Sequence, residues 1–99
     1  MVLAASDLDR FLHAVADPTR RRILLALKEK GGCSLDKENG LCATDIEERV
    51  KLAQPTVSHH MRILEKASLV KSSRVGHWRW YCRNEKLIVE MMRGLTKQL

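Results

Sequence analysis

The sequence predicts a mainly α-helical fold that carries one small β-hairpin. Apolar residues at Val57, Met61, Leu64 and Ala67 recur at the three-and-four spacing of one helix face. After residue 70 this period gives way to strand-forming residues on both sides of Gly76. A chain of 99 residues can form one modest hydrophobic core, so we expect residues 1–99 to be a single domain.

The first helix is predicted to begin at Ser6 or Asp7, either of which can cap it. Its apolar residues form a stripe that must be buried: Leu8, Phe11, Leu12 and Val15. Asp17 and Pro18 end this helix and begin the next, because the residue before a proline avoids the α region and proline suits the first helical position.

The second helix is expected over residues 18–30, with Gly31 and Gly32 ending it. Its apolar residues should face the core: Ile23, Leu24 and Leu27. Its charged residues are expected to face solvent: Arg20, Arg21, Lys28 and Glu29.

Residues 33–40 are polar and rich in turn-forming residues, which predicts a surface loop. Residues 41–43 favour a short strand. Thr44 and Glu47 have the spacing of a capping box, which predicts a third helix over residues 45–50. A tight turn at 51–53 then leads into the helix that begins at Gln54 or Pro55, and two short helices joined in this way form a helix-turn-helix.

The outer face of this last helix carries groups that hydrogen-bond base edges and phosphates in DNA. The residues are Gln54, Thr56, Ser58, His59 and Arg62. On composition alone, an ordinary solvated helix face explains them equally well. We expect His60 to pack along the side of the helix.

A β-hairpin is predicted over residues 71–83, with Gly76 in its turn. Strand alternation separates Trp78, Trp80 and Cys82 from His77, Arg79, Tyr81 and Arg83, but it does not decide which face is buried. Asn84 then caps a last helix, expected over residues 85–99. Its apolar stripe contains Ile88, Met91, Met92, Leu95 and Leu99.

The net charge of +6 is concentrated in one third of the chain. Residues 51–83 hold seven basic residues against Glu65 alone, whereas residues 1–50 have a net charge of −1 and residues 84–99 of +1. Such a one-sided basic block is typical of a protein that binds a polyanion. The sequence has no membrane-spanning stretch and no secretory signal pattern, so we expect a cytoplasmic protein without a membrane partner.

Three stretches in this order resemble the ArsR-type (ArsR/SmtB) family of winged helix-turn-helix transcriptional repressors. They are residues 16–24 (ADPTRRRIL), 54–64 (QPTVSHHMRIL) and 76–81 (GHWRWY). The resemblance implies a homodimer built from the first and last helices. It also implies a recognition helix in the major groove and a β-wing against the flanking DNA backbone.

The leading prediction is a dimeric repressor that binds a double-stranded DNA operator with an inverted repeat. The wing should contact phosphates or the minor groove through Lys71, Arg74, His77 and Arg79, unless these cations only protect an exposed strand from pairing. An enzyme is disfavoured, because the histidines and cysteines have no catalytic spacing and no glycine-rich phosphate loop is present. A protein-binding adaptor with the same fold would leave the basic block unexplained.

Two amphipathic terminal helices need more apolar cover than one small chain supplies. The alternative is that both helices pack only within one chain. We therefore predict a two-fold dimer interface formed by Leu8, Phe11, Leu12, Val15, Ile88, Met91, Met92 and Leu95.

Cys33 and Cys42 bracket the predicted loop and suggest a thiol switch, in which oxidation tilts the third helix and releases DNA. A soft-metal or metalloid site would need a third ligand such as Cys82. The family's metal-sensing members carry two cysteines around one residue on this helix, but Thr44 occupies the second position here, and the last helix has no histidine. We therefore expect no metal cofactor. The remaining interpretation is structural, with Cys42 and Cys82 as small buried residues and Cys33 as an incidental loop thiol.

Overall fold

The computed structural model describes residues 5–29 and 40–99. Within these ranges the predicted order of helices and hairpin is confirmed, and none of the described helices is long and apolar enough to cross a membrane. The predicted end of the second helix at Gly31 and Gly32 and most of the predicted loop lie outside the described residues. The elements are α1 (Ala5–Ala16), α2 (Pro18–Glu29), β1 (Leu41–Cys42), α3 (Ala43–Val50), α4 (Gln54–Lys66), β2 (Val70–Val75), β3 (Trp78–Arg83) and α5 (Glu85–Gln98).

The core lies where α2, α3 and α4 meet the sheet. The apolar stripe of α4 is buried as predicted, and so are the three apolar residues of α2. Leu41 of β1 and Leu69, just before β2, complete this centre. The fully buried large side chains are Ile23, Leu27, Leu41, Ile46, Val57, Met61, Leu64 and Leu69.

The three strands form one antiparallel sheet in the order β1-β3-β2. Leu41 pairs with Tyr81 and Cys42 with Trp80, so the residues directly before α3 are joined to the hairpin. Gly40 makes this pairing possible. Its φ is +106°, and a Cβ atom there would lie 2.1 Å from the carbonyl oxygen of Tyr81. Only glycine fits this backbone conformation and this close approach.

Both faces of β3 are covered near the base of the hairpin, where side chains on either face are buried. Trp80 and Tyr81 point to opposite faces, yet they are only 7% and 6% exposed. Trp78, next to the turn, is 43% exposed. Strand alternation therefore could not identify one buried face, because the base of the hairpin is buried on both faces and its tip is exposed.

The joint between α1 and α2 is made by side chains that satisfy backbone groups. The Asp17 carboxylate accepts hydrogen bonds from the amides of Thr19 (2.7 Å) and Arg20 (3.2 Å), as expected for a helix cap. Desolvation raises the pKa of Asp17, but these two hydrogen bonds together with the Arg20 charge outweigh it and lower the pKa overall.

The predicted start of α1 is wrong. The helix begins at Ala5, so Ser6 and Asp7 lie inside its first turn and do not cap it. Asp7 forms an ion pair with Arg10 one turn later, at 3.8 Å. A carboxylate in the first turn also lies near the positive end of the helix dipole. It stabilises the helix there even though it does not cap it.

The prediction that Arg20 faces solvent is also wrong, since this residue is 6% exposed. Its Nε donates to the carbonyl of Ala14 (2.7 Å) and its Nη2 to that of His13 (2.9 Å). Arg21 similarly donates to the carbonyls of Val15 and Ala16 at the end of α1. The last carbonyls of a helix have no partner within it, and these two arginines supply one.

The capping box predicted for α3 does not form. The helix begins at Ala43, two residues before the predicted start, and Thr44 lies within its first turn. Cys42 occupies the capping position without a side-chain bond to the helix backbone. Because Cys42 is held extended by its pairing with β3, the helix starts immediately after it and the threonine is displaced from the position where it could cap.

The terminal helices pack against each other within the chain. Leu8, Phe11 and Met91 are at most 4% exposed, so almost none of their surface remains for a partner. Val15, Ile88 and Leu95 are half-buried. The large apolar side chains that stay open on these two helices are Leu12, Val89 and Met92, and exposed Leu99 directly follows α5.

Two glycines allow a paired test of these backbone constraints. Gly76 also has a positive φ (+60°), but an added Cβ atom there would meet nothing within 4 Å. We expect Gly76→Ala to cost about 1–2 kcal/mol, the strain of a left-handed alanine. Gly40→Ala must add a clash with backbone and should cost clearly more. Urea unfolding of both variants measures the difference, and equal losses would contradict the β1–β3 register.

Candidate DNA interface

The helix α4 has one buried face and one open face. Pro55 lies in its first turn, where its missing amide proton has no intrahelical partner to lose. Val57, Met61 and Leu64 anchor the helix in the core. The residues predicted to contact bases are exposed on the other side, except Ser58, which is half-buried: Gln54, Thr56, Ser58, His59 and Arg62.

A hydrogen bond orders the first turn of this open face. The Nε2 of Gln54 donates to the Ser58 hydroxyl at 2.7 Å. The bond limits the rotamers of both side chains, while the Gln54 carbonyl oxygen and its second N–H remain able to bind other groups. An amide with one free donor and one free acceptor suits the paired acceptor and donor of an adenine edge.

The hairpin separates its cations between two faces. Arg74 lies directly opposite Arg79, and Ser72 directly opposite Tyr81, on one face. Lys71 lies opposite Cys82 on the other face, and His77 is in the turn. All four predicted wing residues are exposed, but only Arg74 and Arg79 come together. Like charges placed directly opposite repel each other, and a bound anion would relieve this repulsion.

The arginine face of the hairpin is the one that is joined to α4. The Ser72 hydroxyl donates to the Glu65 carboxylate near the end of α4, at 3.3 Å. Burial raises the pKa of the neighbouring Tyr81 phenol, as does the Glu65 charge, whereas Arg79 opposes both effects. The candidate surface therefore consists of the open face of α4 and of Arg74 and Arg79, on the hairpin face that the Ser72–Glu65 hydrogen bond joins to α4.

Sequence reasoning missed a contact behind this surface. His60, expected only to pack, is half-buried, and its Nδ1 lies 3.2 Å from Nη1 of the buried Arg20. The signal that could have predicted the arginine's position is Pro18. A helix that must end at Ala16 leaves carbonyls without partners, and the next long donors in the chain are Arg20 and Arg21.

The cysteines give no geometric support to a metal site. Within residues 5–29 and 40–99, no group of three or more histidine, cysteine or acidic side chains could hold a metal ion. The Cys42 thiol is fully buried and donates to the Asp45 carboxylate at 3.0 Å, while Cys82 is half-buried. Cys33 lies outside the described residues, so the thiol switch stays a prediction.

Comparisons with known proteins assign the chain to a family. A family model described as a helix-turn-helix domain matches residues 15–73. An uncharacterized HTH-type transcriptional regulator of Methanocaldococcus jannaschii is 41% identical over 69% of this chain and 67% of its own. The arsenical resistance operon repressor of Staphylococcus aureus is 30% identical over 95% of this chain and 82% of its own. The chain belongs to the ArsR family of winged helix-turn-helix transcriptional regulators.

The fold agrees with this assignment. The homodimeric winged helix-turn-helix DNA-binding domain of a possible ArsR-family regulator from Mycobacterium bovis has a TM-score of 0.72 at 18% identity. The match covers 94% of this chain and 79% of that one. In ArsR-family terms, α3 and α4 are the helix-turn-helix and β2–β3 is the wing. The names of these relatives describe transcriptional regulators and a repressor.

The wing arginines can be tested through the salt dependence of DNA binding. Replacing Arg74 and Arg79 together by glutamine should reduce the slope of log affinity against log salt by about one to two, because each lost phosphate contact removes about one unit. Folding stability should not fall much, since the change also removes a repulsive pair. Lys28→Gln with Lys86→Gln removes the same charge from exposed sites elsewhere. A slope that both double variants change equally would assign the wing arginines to edge protection.

Proposed function

We propose that this ArsR-family chain is a homodimeric repressor that acts in the cytoplasm and binds an inverted-repeat operator in double-stranded DNA. The observation that carries the proposal is the composition of the candidate surface. Groups suited to base edges line α4, and the paired arginines lie on the hairpin face that the Ser72–Glu65 hydrogen bond joins to α4. A protein-binding adaptor would not require base-suited groups on α4 together with paired arginines on the hairpin.

In this proposal α4 enters the major groove. Arg62 offers a planar pair of donors that suits the two acceptors of guanine, and Gln54 suits adenine. Thr56, Ser58 and His59 contact further base edges or phosphates. The wing, with Arg74, Arg79 and His77, contacts the flanking backbone or minor groove and contributes affinity more than sequence choice. Lys71 contacts phosphate from the other face of the hairpin.

The proposed dimer uses the open apolar side chains of the terminal helices. Of the exposed large apolar residues in the described part of the chain, Leu12, Val89 and Met92 lie on α1 or α5, and Leu99 directly follows α5. Val89 and Met92 line a shallow groove with Ile88 and Thr96. Val15 and Leu95 would border the contact, whereas Leu8, Phe11 and Met91 would support it from inside each chain. A two-fold axis here would set two α4 helices about 34–36 Å apart, one turn of DNA.

A gel shift with the chain's own promoter region, repeated at increasing salt, tests DNA binding directly. Arg62→Ala should weaken operator binding by about 1–3 kcal/mol and relax base preference at one position in each half-site. Arg10→Ala, which removes an exposed arginine from α1, is the matched control and should have little effect. If Arg62→Ala keeps the operator preference of the wild type, α4 is not the reading helix. If the wild type shifts no DNA in the gel, the protein-binding adaptor is favoured.

The dimer can be tested with two exposed apolar residues of similar accessibility. Met92 on α5 is 50% exposed and Leu25 on α2 is 54% exposed, so neither substitution should disturb the core. Met92→Glu should convert the dimer to a monomer in sedimentation experiments and weaken operator binding, because a charge would be buried in the interface. Leu25→Glu should remain dimeric. A wild-type protein that sediments as a monomer at micromolar concentration would refute the interface.

A further inference from the structure

A polar contact ties the back of α4 to the corner between α1 and α2. The Nη1 of Arg20 lies 3.2 Å from Nδ1 of His60. The rest of this guanidinium is fixed by the carbonyls of Ala14 and His13, and the Asp17 carboxylate lies 3.8 Å from Nη1. The arginine is therefore held in one orientation by α1, and it offers α4 a donor in a defined direction.

The chemistry of this contact sets the state of the histidine. A guanidinium has five donors and no acceptor, so Nδ1 of His60 must be the acceptor. The imidazole is then neutral, with its proton on Nε2. Protonation would put a hydrogen on Nδ1, replace the acceptor by a donor, and leave two cations in contact.

The contact adds direction to the middle of α4, whose attachment there is mainly apolar. Val57, Met61 and Leu64 hold α4 against the core, but hydrophobic contacts are not directional. A hydrogen bond weakens when its angle changes, so the bond to His60 resists rotation of α4 about its own axis. His60 is one residue from His59 and two from Arg62, which are both on the proposed DNA-reading face.

We infer that Arg20 is a positioning residue for operator binding: it fixes the orientation of α4 through neutral His60, and protonation of His60 weakens binding. The inference rests on the proposed function. Neither residue needs to contact DNA, and the charge of Arg20 is used inside the protein.

The groups that face His60 act in opposite directions on its protonation. Burial lowers the pKa of His60, the Asp17 carboxylate raises it, and the Arg20 guanidinium and neighbouring His59 lower it, with a lowered pKa as the result. The His59 and His60 rings are 5.3 Å apart. In the folded protein the pKa of His60 lies below the ordinary value of 6.5. Neutral His60 therefore contributes its full stabilisation above pH 6.5, and this stabilisation is lost as the pH falls below that value.

The decisive variant is His60→Gln. A glutamine carbonyl oxygen can accept from Arg20 and does not titrate. Operator affinity of both proteins is measured by fluorescence anisotropy from about pH 8 to about pH 5.5 at constant ionic strength. The ratio of the two affinities cancels the titration of His13, His59 and His77, which both proteins share. His13→Gln, at an exposed histidine of α1 away from the proposed DNA-reading face, is the matched control and should keep the wild-type pH profile.

We expect the two proteins to bind alike at pH 8 and the wild type to become about two- to tenfold weaker than His60→Gln at the acid end, the range for one hydrogen bond. His60→Leu, which lacks an acceptor, should bind weakly at every pH. Parallel pH profiles for wild type and His60→Gln would overturn the inference. A wild type that binds relatively better in acid would do so too, because it would make His60 a phosphate ligand.

Nitrogen-15 NMR of the DNA-free protein separates this inference from the proposed function. It should find His60 neutral with its proton on Nε2 at pH 8, and Arg20→Lys should alter its signals. A wild type that binds no promoter DNA at pH 8 would refute the proposed function, whereas a His60 tautomer protonated on Nδ1 would refute the contact itself.

Discussion

The architecture depends on finding donors for the carbonyls at the end of α1. These groups lie in the corner where α1, α2 and α4 meet, and a carbonyl that is buried without a partner is costly. Arg20 and Arg21 supply the donors, and Arg22 donates to the Val50 carbonyl at the end of α3. Three successive arginines therefore join α2 to the ends of two other helices. A run that could be mistaken for a DNA-binding patch is mainly a set of helix caps.

This division of labour explains where the net charge lies. The arginines of α2 balance helix ends and the nearby carboxylates, and residues 1–50 are close to neutral. The cations of α4 and the wing have few acidic neighbours, since Glu65 is the single acidic residue in that third of the chain. Glu65 itself is used to connect the wing to α4. Most of the unbalanced positive charge in this third of the chain thus lies on α4 and the hairpin.

The sequence predicted those features that depend on local pattern. The apolar spacing of α4 identified its buried face, the glycine at residue 76 identified the hairpin turn, and Asn84 caps α5 through the amide of Leu87 as predicted. Predictions failed where a residue distant in sequence determines the conformation or burial of a side chain. Thr44 lost its capping position to a strand pairing with Trp80, and Arg20 is buried because α1 ends beside it. Periodicity cannot reveal either partner.

The candidate site divides in the same way. The open face of α4 follows from helix geometry and was therefore predictable from the sequence. Alternation along β2 already puts Lys71 and Arg74 on opposite faces. The pairing of Arg74 with Arg79 on one face depends on strand register, which the turn at Gly76 and His77 fixes. Leu8 and Phe11 were assigned to a subunit interface because a stripe of apolar residues does not say whether its cover comes from the same chain.

The pairing of β1 with β3 also has a kinetic consequence. Leu41 and Tyr81 are forty positions apart in the chain. Contacts between such distant residues form only after a large loop has closed, and the closure costs conformational entropy before the contacts can stabilise the fold. The helix-turn-helix is contained within that loop. Its two helices can form early, but α3 acquires its final start only when the hairpin has folded and accepted β1. The DNA-reading unit is therefore expected to mature in one cooperative, late step rather than helix by helix.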